Sequence, residues 1–235
     1  MHDWRAVLAE IVISQERLNL TIDGLDDAAL RAPSPLEGWT RGHVAHHIAR
    51  NADSCSRLLA WAATGVPVPQ YPGRAARDAE IEAGAGLPHK ALAADVRESA
   101  ARFAALAEAL PEDRWDARVE ALGDWGHPAW YLLYRRWREV EVHHVDLGAS
   151  YTFADWPESY LRWELTESLP GLRDAVPYSR IAATDPDVVV EFGGSGPELR
   201  APAVELLGWL SGRSDTSYAE VPPWPYPAAT DWSEA

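Results

Sequence analysis

The chain has 235 residues, 47% of them hydrophobic and 24% charged, which is the make-up of a water-soluble globular protein of one domain or two small ones. Its 36 acidic and 21 basic residues leave a net charge of −15, which argues against nucleic acid and anionic membranes as partners, because both demand clustered Lys and Arg. A single cysteine, Cys55, excludes an intrachain disulfide framework and fits a reducing cytoplasm; no apolar run reaches the roughly 18 residues of a membrane span, and MHDWRAVLAE does not read as a secretion signal.

Residues 3–21 set Val7, Leu8, Ile11, Val12, Leu18 and Leu20 close to a 3.6-residue period, which predicts an opening helix. DGLDDAALRAPSP adds a short helix stopped by Pro33 and Pro35, since proline lacks the amide a helix needs. Thr40 to Ala63 reads as a long helix, with Thr40 as its N-cap and Gly65 at its exit. Beyond the loop VPVPQYPGR, RAARDAEIEAG forms a short helix ending at Gly84. Residues 89–109 make another long helix, with Val96, Phe103 and Leu106 in step. LGDWGHP is a loop able to close a short hairpin, and residues 129–147 make the last long helix, ended by Gly148. Four long helices joined by loops suggest a four-helix bundle over residues 1–150.

The pattern changes after Gly148. YTFADWPESYLRWELTESLPGL offers a turn and a helix, and DVVVEFGG is a β-branched run that reads as a strand. A turn or strand end then precedes a helix from about Pro202 to Ser211, and the tail VPPWPYPAATDW reads as coil or a short edge element. Residues 151–235 are therefore expected to form a small α+β domain, with the boundary near 148–155, so that the whole chain is α+β. Twelve tryptophans hint at aromatic-lined pockets, although core packing accounts for most of them.

Histidines carry the chemical signal. His43, His46 and His47 fall within five residues, and His143 and His144 pair far away, out of eight in the chain. His43 and His47 are four apart and share a helix face, as do Glu139 and His143 on the last bundle helix. An acid and an imidazole from one helix, joined by an imidazole from a neighbour, suit Zn²⁺ with a fourth position left open. The competing reading is a partly exposed, salt-bridged helix face. His46, Glu141 and His144 lie off those faces and are expected at the surface or behind the ligands. Asp146 is placed to orient a ligand histidine, or else to cap the helix end. Cys55 reads as a small buried hydrophobe, Arg213 as a helix-exit arginine, and Arg74 and Arg77 as solvated charges.

The segments PLEGWTRGHVAHHIARNA, AWAATGVPVPQY, RAARDAEIEAG and RRWREVEVHHVDLG together resemble the mycothiol-dependent maleylpyruvate isomerases, DinB-like metal-binding helical bundles of actinobacteria. The likeness extends to ELLGWLSGRSD in the smaller C-terminal domain. The resemblance implies a metal site of His47, Glu139 and His143, with His43 only a neighbour. It also implies a catalytic, substrate-binding Arg213, with Arg77 as a second substrate-binding candidate. Zn²⁺ and mycothiol are the implied cofactors, and mycothiol would provide the nucleophile that the chain lacks. The implied reaction turns maleylpyruvate into fumarylpyruvate in aromatic catabolism: a thiolate adds to the cis double bond, the new single bond rotates, and the thiol leaves. The partners are then an anionic small molecule and a low-molecular-weight thiol, with the protein a cytoplasmic monomer or weak dimer. A mycothiol S-transferase and a non-catalytic metal-binding module are the alternatives.

Overall fold

Helix α1 (Trp4–Asp23) begins at Asp3, whose carboxylate accepts the Ala6 amide at 3.1 Å and so satisfies one donor of the first turn. The computed structural model describes residues 3–224, which divide into two units, one ending at Ser150 and the other beginning at Tyr151. In the first unit α1 is followed by α2 (Asp27–Arg31), α3 (Arg41–Thr64), α4 (Arg74–Gly84), α5 (His89–Ala109) and α6 (Tyr131–Asp146). A hairpin of β1 (Arg118–Ala121) and β2 (Trp125–Pro128) precedes α6; its register runs from Arg118 opposite Pro128 to Ala121 opposite Trp125. The loop LGDWGHP thus does close a hairpin, and Gly123 and Asp124 take the positive φ values that a tight connection needs.

Four long helices close a ring: α1 packs on α5 and α6, and α3 packs on the same two. This is the expected four-helix bundle. Its core gathers Leu18 and Ile22 from α1, Val44 and Ile48 from α3, Leu92 and Val96 from α5, and Val140 from α6, all essentially sealed from solvent. Arg41 clasps the start of α3 to the end of α6, donating from Nε to the Leu147 carbonyl and from Nη2 to the Gly148 carbonyl, each at 2.7 Å. A cation there meets the unpaired carbonyls of the helix C-terminus. Trp4, Trp115 and Trp137 are buried, as core packing requires.

The second unit contains α7 (Glu158–Ser168), β3 (Arg180–Thr184), β4 (Val188–Glu191), β5 (Glu198–Pro202) and α8 (Ala203–Ser211). Its sheet has the order β4-β3-β5, with β3 antiparallel to β4 and parallel to β5. DVVVEFGG supplies β4, as expected. The central strand β3, RIAAT, carries little strand signal of its own, because two of its three buried positions are alanines rather than β-branched residues. The tail expected as coil or an edge element lies, from residue 225 on, outside the described residues.

Candidate metal centre

Thr40 starts α3 with its backbone extended and its hydroxyl accepting the His43 amide at 3.3 Å. His43 closes the box from the other side, its Nδ1 accepting the Thr40 amide at 3.2 Å. An imidazole thus takes the place usually given to Glu or Gln. With Nδ1 used as an acceptor, the remaining N–H of His43 donates from Nε2 to Glu82 on α4 at 3.1 Å. His43 is therefore committed to the helix start and to α4.

One turn on, His46 and His47 diverge. His46 is 6% exposed, its Nδ1–H donating to the Ile81 carbonyl of α4 at 3.1 Å. Its ring lies flat against Gly84, where a Cβ would come within 2.2 Å of Cε1 and Nε2. Burial lowers the pKa of His46, which favours the neutral ring. His47, 4% exposed, turns the other way, toward α6. Its Nε2 lies 3.0 Å from Glu139 Oε2 and 3.1 Å from His143 Nε2, and the two imidazole planes meet at 87°.

Glu139 and His143 sit one turn apart on α6, with Glu139 Oε2 3.3 Å from His143 Nε2. The triangle His47–Glu139–His143 therefore has sides of 3.0, 3.1 and 3.3 Å. Donors 2.0–2.1 Å from a tetrahedral zinc stand roughly 3.3 Å apart, so these are the dimensions of one face of a metal coordination shell. The donor set, two imidazoles and a carboxylate, also suits zinc. Among the described residues this is the one group of three or more His, Cys, Asp or Glu side chains whose ligand atoms converge in this way. The side chains of Glu139 and His143 keep 28% and 18% of their exposure, so the triangle opens outward.

The three groups shift one another's protonation strongly. Burial opposes the charged form of His143, but bonds to Asp146 and Glu139 outweigh it and push the imidazole up to about 9. Burial likewise opposes the Glu139 carboxylate, yet hydrogen bonds from His143 and His47 hold it well below the usual range. His47 is lowered by burial, with Glu139 pulling against that. A metal ligand must be deprotonated at the coordinating atom, so a cation at this triangle would compete with the proton that raises His143. Behind the triangle, His143 Nδ1–H donates to Asp146 Oδ2 at 2.8 Å, and Asp146 is 1% exposed.

Two further side chains line the triangle. Trp39, which precedes the α3 cap, packs its indole edge-on to His47 with ring centroids 5.5 Å apart. Its only mark in the sequence is its place directly before the cap residue Thr40. Arg77 on α4 brings Nη2 to 3.5 Å from His47 Nδ1, while its Nη1 donates to Asp78 Oδ1 at 2.9 Å. Arg77 is thus a neighbour of the triangle and not merely a solvated charge. Arg213 belongs to the second unit; it follows Gly212, the left-handed cap of α8, and its guanidinium carbon lies 5.9 Å from the Trp224 ring centre.

Of the two places expected for His46, Glu141 and His144, the surface is excluded, since all three are buried. Glu141 bonds Ser14 and the Arg17 guanidinium, and His144 Nε2 lies 2.7 Å from the Thr21 hydroxyl. The reason is that α3 and α6 each face more than one neighbour: α4 covers the His46 side of α3, and α1 covers the Glu141 and His144 side of α6. Cys55 is fully buried, and burial raises its thiol pKa, as befits a packing residue.

Residues 13–148 match the family described as the mycothiol maleylpyruvate isomerase N-terminal domain. Among solved structures, the chain is similar to the crystal structure of the mycothiol-dependent maleylpyruvate isomerase. The match has 27% identity and a TM-score of 0.82, and covers 95% of this chain and 98% of that one. The crystal structure of a histidine-to-alanine mutant of that enzyme matches with the same figures. No curated protein matches.

Proposed function

Since the chain belongs to the mycothiol maleylpyruvate isomerase family, with the family domain spanning residues 13–148, we propose that it catalyses the mycothiol-dependent cis–trans isomerisation of maleylpyruvate or a closely related cis-enoic diacid. The observation that carries this reading is the 3.0–3.3 Å triangle of His47, Glu139 and His143. These three residues are assigned a zinc ion. Zinc bound there would supply Lewis acidity that keeps a thiol in its reactive, deprotonated form at neutral pH.

The chain's own residues then have distinct tasks. Asp146 keeps the proton of His143 on Nδ1 and so leaves Nε2 directed at the triangle. Trp39 shields one side of His47 from water. Arg77 is assigned to a carboxylate of the substrate. A His47 that ligates through Nε2 carries its proton on Nδ1 and offers Arg77 no acceptor, so the guanidinium is released to pair with an anion. Arg213 is proposed as the catalytic, substrate-binding arginine, since a bidentate guanidinium is well shaped for a carboxylate and for negative charge that develops next to it. On a chain of net charge −15, local cations of this kind are what would draw in a dianion.

Metal analysis of the purified protein, followed by a maleylpyruvate absorbance assay with and without mycothiol, tests the reading. Bound zinc and mycothiol-dependent loss of maleylpyruvate to a product of unchanged mass are expected. A product heavier by one thiol would instead make the protein an S-transferase. Wild-type protein that holds no metal would overturn the proposal.

A further inference from the structure

Arg136 on α6 is 1% exposed, and its acceptors among the described residues are all neutral. Nη1 donates to the Ile48 carbonyl at 2.8 Å and to Asn51 Oδ1 at 2.9 Å, both on α3. Nη2 donates to Gln15 Oε1 on α1 at 2.9 Å. A buried guanidinium without a contacting carboxylate is costly, and three well-made bonds to neutral groups offset that only in part. What the three bonds do is join α6 to α1 and α3 at fixed distances.

Its position is specific. Ile48 directly follows His47, and Asn51 stands one turn beyond His47 on the same helix. Arg136 precedes Glu139 by three residues and His143 by seven, so all three lie along one stripe of α6. The Arg41 clasp to Leu147 and Gly148 ties the same two helices at the far end. The triangle therefore sits between two arginine tethers, one of them reaching the α3 backbone a single residue from the α3 ligand. Metal donors tolerate displacements of only about 0.2 Å, so the spacing of α3 and α6 at this level has to be held closely.

We propose that Arg136 is a positioning residue of the metal centre: its two bonds to α3 hold His47 at coordinating distance from Glu139 and His143, while its bond to Gln15 serves folding alone. The inference rests on the metal reading above. Cobalt(II) affinity by chelator competition, the visible cobalt absorption band, and the melting temperature of the metal-free protein are measured for wild type, Arg136→Lys, Asn51→Ala and Gln15→Leu. Arg136→Lys and Asn51→Ala should weaken cobalt binding by roughly tenfold or more and shift the band, the scale seen when groups behind metal ligands are lost. Gln15→Leu should lower the melting temperature and leave affinity and band unchanged. If Arg136→Lys does not fold, Asn51→Ala decides alone. Wild-type affinity in the variants that fold, or equal weakening by Gln15→Leu, overturns the inference while leaving the metal reading intact. Wild type that binds no cobalt overturns both.

Discussion

His143 Nδ1 donates to Asp146 Oδ2 at 2.8 Å across one turn of α6, and this contact decides which ring nitrogen faces His47 and Glu139. With the Nδ1 proton held by a buried carboxylate, the lone pair of the neutral ring must point at the triangle. Asp146→Ala frees the ring to rotate and removes the charge that raises its basicity. Zinc affinity should fall about 10- to 100-fold, as read by competition with a chromophoric chelator, while the metal-free helix content by circular dichroism stays at the wild-type level.

The same proton sets a pH dependence. In the metal-free protein His143 has a folded value of about 9 against an ordinary 6.5. Its contribution to stability is complete below pH 6.5 and is lost as the pH rises through 9. His127 behaves in the opposite sense. It is buried in the hairpin beside Arg135, and burial first, then the charge of Arg135, drive it down to about 3. Its contribution is complete above pH 6.5 and is lost as the pH falls toward 3. Metal-free protein should thus melt highest near neutral pH and lower on both sides. Zinc competes with the His143 proton, so zinc affinity should climb with pH up to about 9. Thermal melts without metal and chelator titrations across pH 5–9 check both trends; affinity that is flat with pH would contradict the second.

Much of this was legible in the sequence. The caps Thr40, Gly65 and Gly148 delimit real helix ends, and the i, i+4 spacing of Glu139 and His143 puts both on one face whatever the tertiary fold. What one helix cannot reveal is how many neighbours it has. His46 looked peripheral because it lies off the His47 face, yet α4 covers that side and turns the imidazole into a wedge against Gly84. Glu141, His144 and Arg136 were hidden for the same reason, since α1 closes over α6. The strand β3 was hidden because RIAAT owes its pairing to β4 and β5 rather than to any local preference.

Two glycines make the α3–α4 contact that positions Arg77. A Cβ on Gly84 would come within 2.2 Å of the His46 ring, and one on Gly42 within 2.2 Å of the Ala85 carbonyl oxygen. Alanine in a helix ordinarily gains roughly 0.5–1 kcal/mol over glycine, but overpacking against a buried neighbour costs about 1–3 kcal/mol. The clash wins, more surely at Gly42, where the obstacle is backbone. Gly42→Ala and Gly84→Ala should each lower the melting temperature by several degrees, taking about 2–4 °C per kcal/mol. Melts equal to or above wild type would show that α4 can move aside freely.

Core packing permits a simpler test, which also calibrates the others. Leu92 of α5 is fully buried in the cluster with Leu18, Ile48 and Val96. Leu92→Ala removes packing at a residue that is not itself one of the proposed ligands and should cost about 2–5 kcal/mol. Denaturant unfolding should show the loss, while zinc affinity of the folded fraction stays unchanged. That separation between stability and affinity is the baseline for reading variants near the triangle.

Arg77 is the residue whose assigned role depends most on the state of its neighbour. Its Nη2 lies 3.5 Å from His47 Nδ1, a long contact that a metal-bound His47 would not accept, because its Nδ1 would then carry the proton. Arg77→Met keeps most of the side-chain volume and removes the charge. If Arg77 pairs with a substrate carboxylate, the loss of one charge-assisted hydrogen bond is worth about 1.5–3 kcal/mol, or roughly a 10- to 150-fold fall in kcat/KM at 1.4 kcal/mol per decade. The fall should be carried mainly by KM, since the anion is held in the ground state as well as in the transition state. Arg77→Lys should recover part of it by restoring a point charge without the bidentate fork. Zinc content in both variants should match wild type, because neither change touches a ligand atom. A variant that loses zinc together with activity would move Arg77 from the substrate to the support of His47.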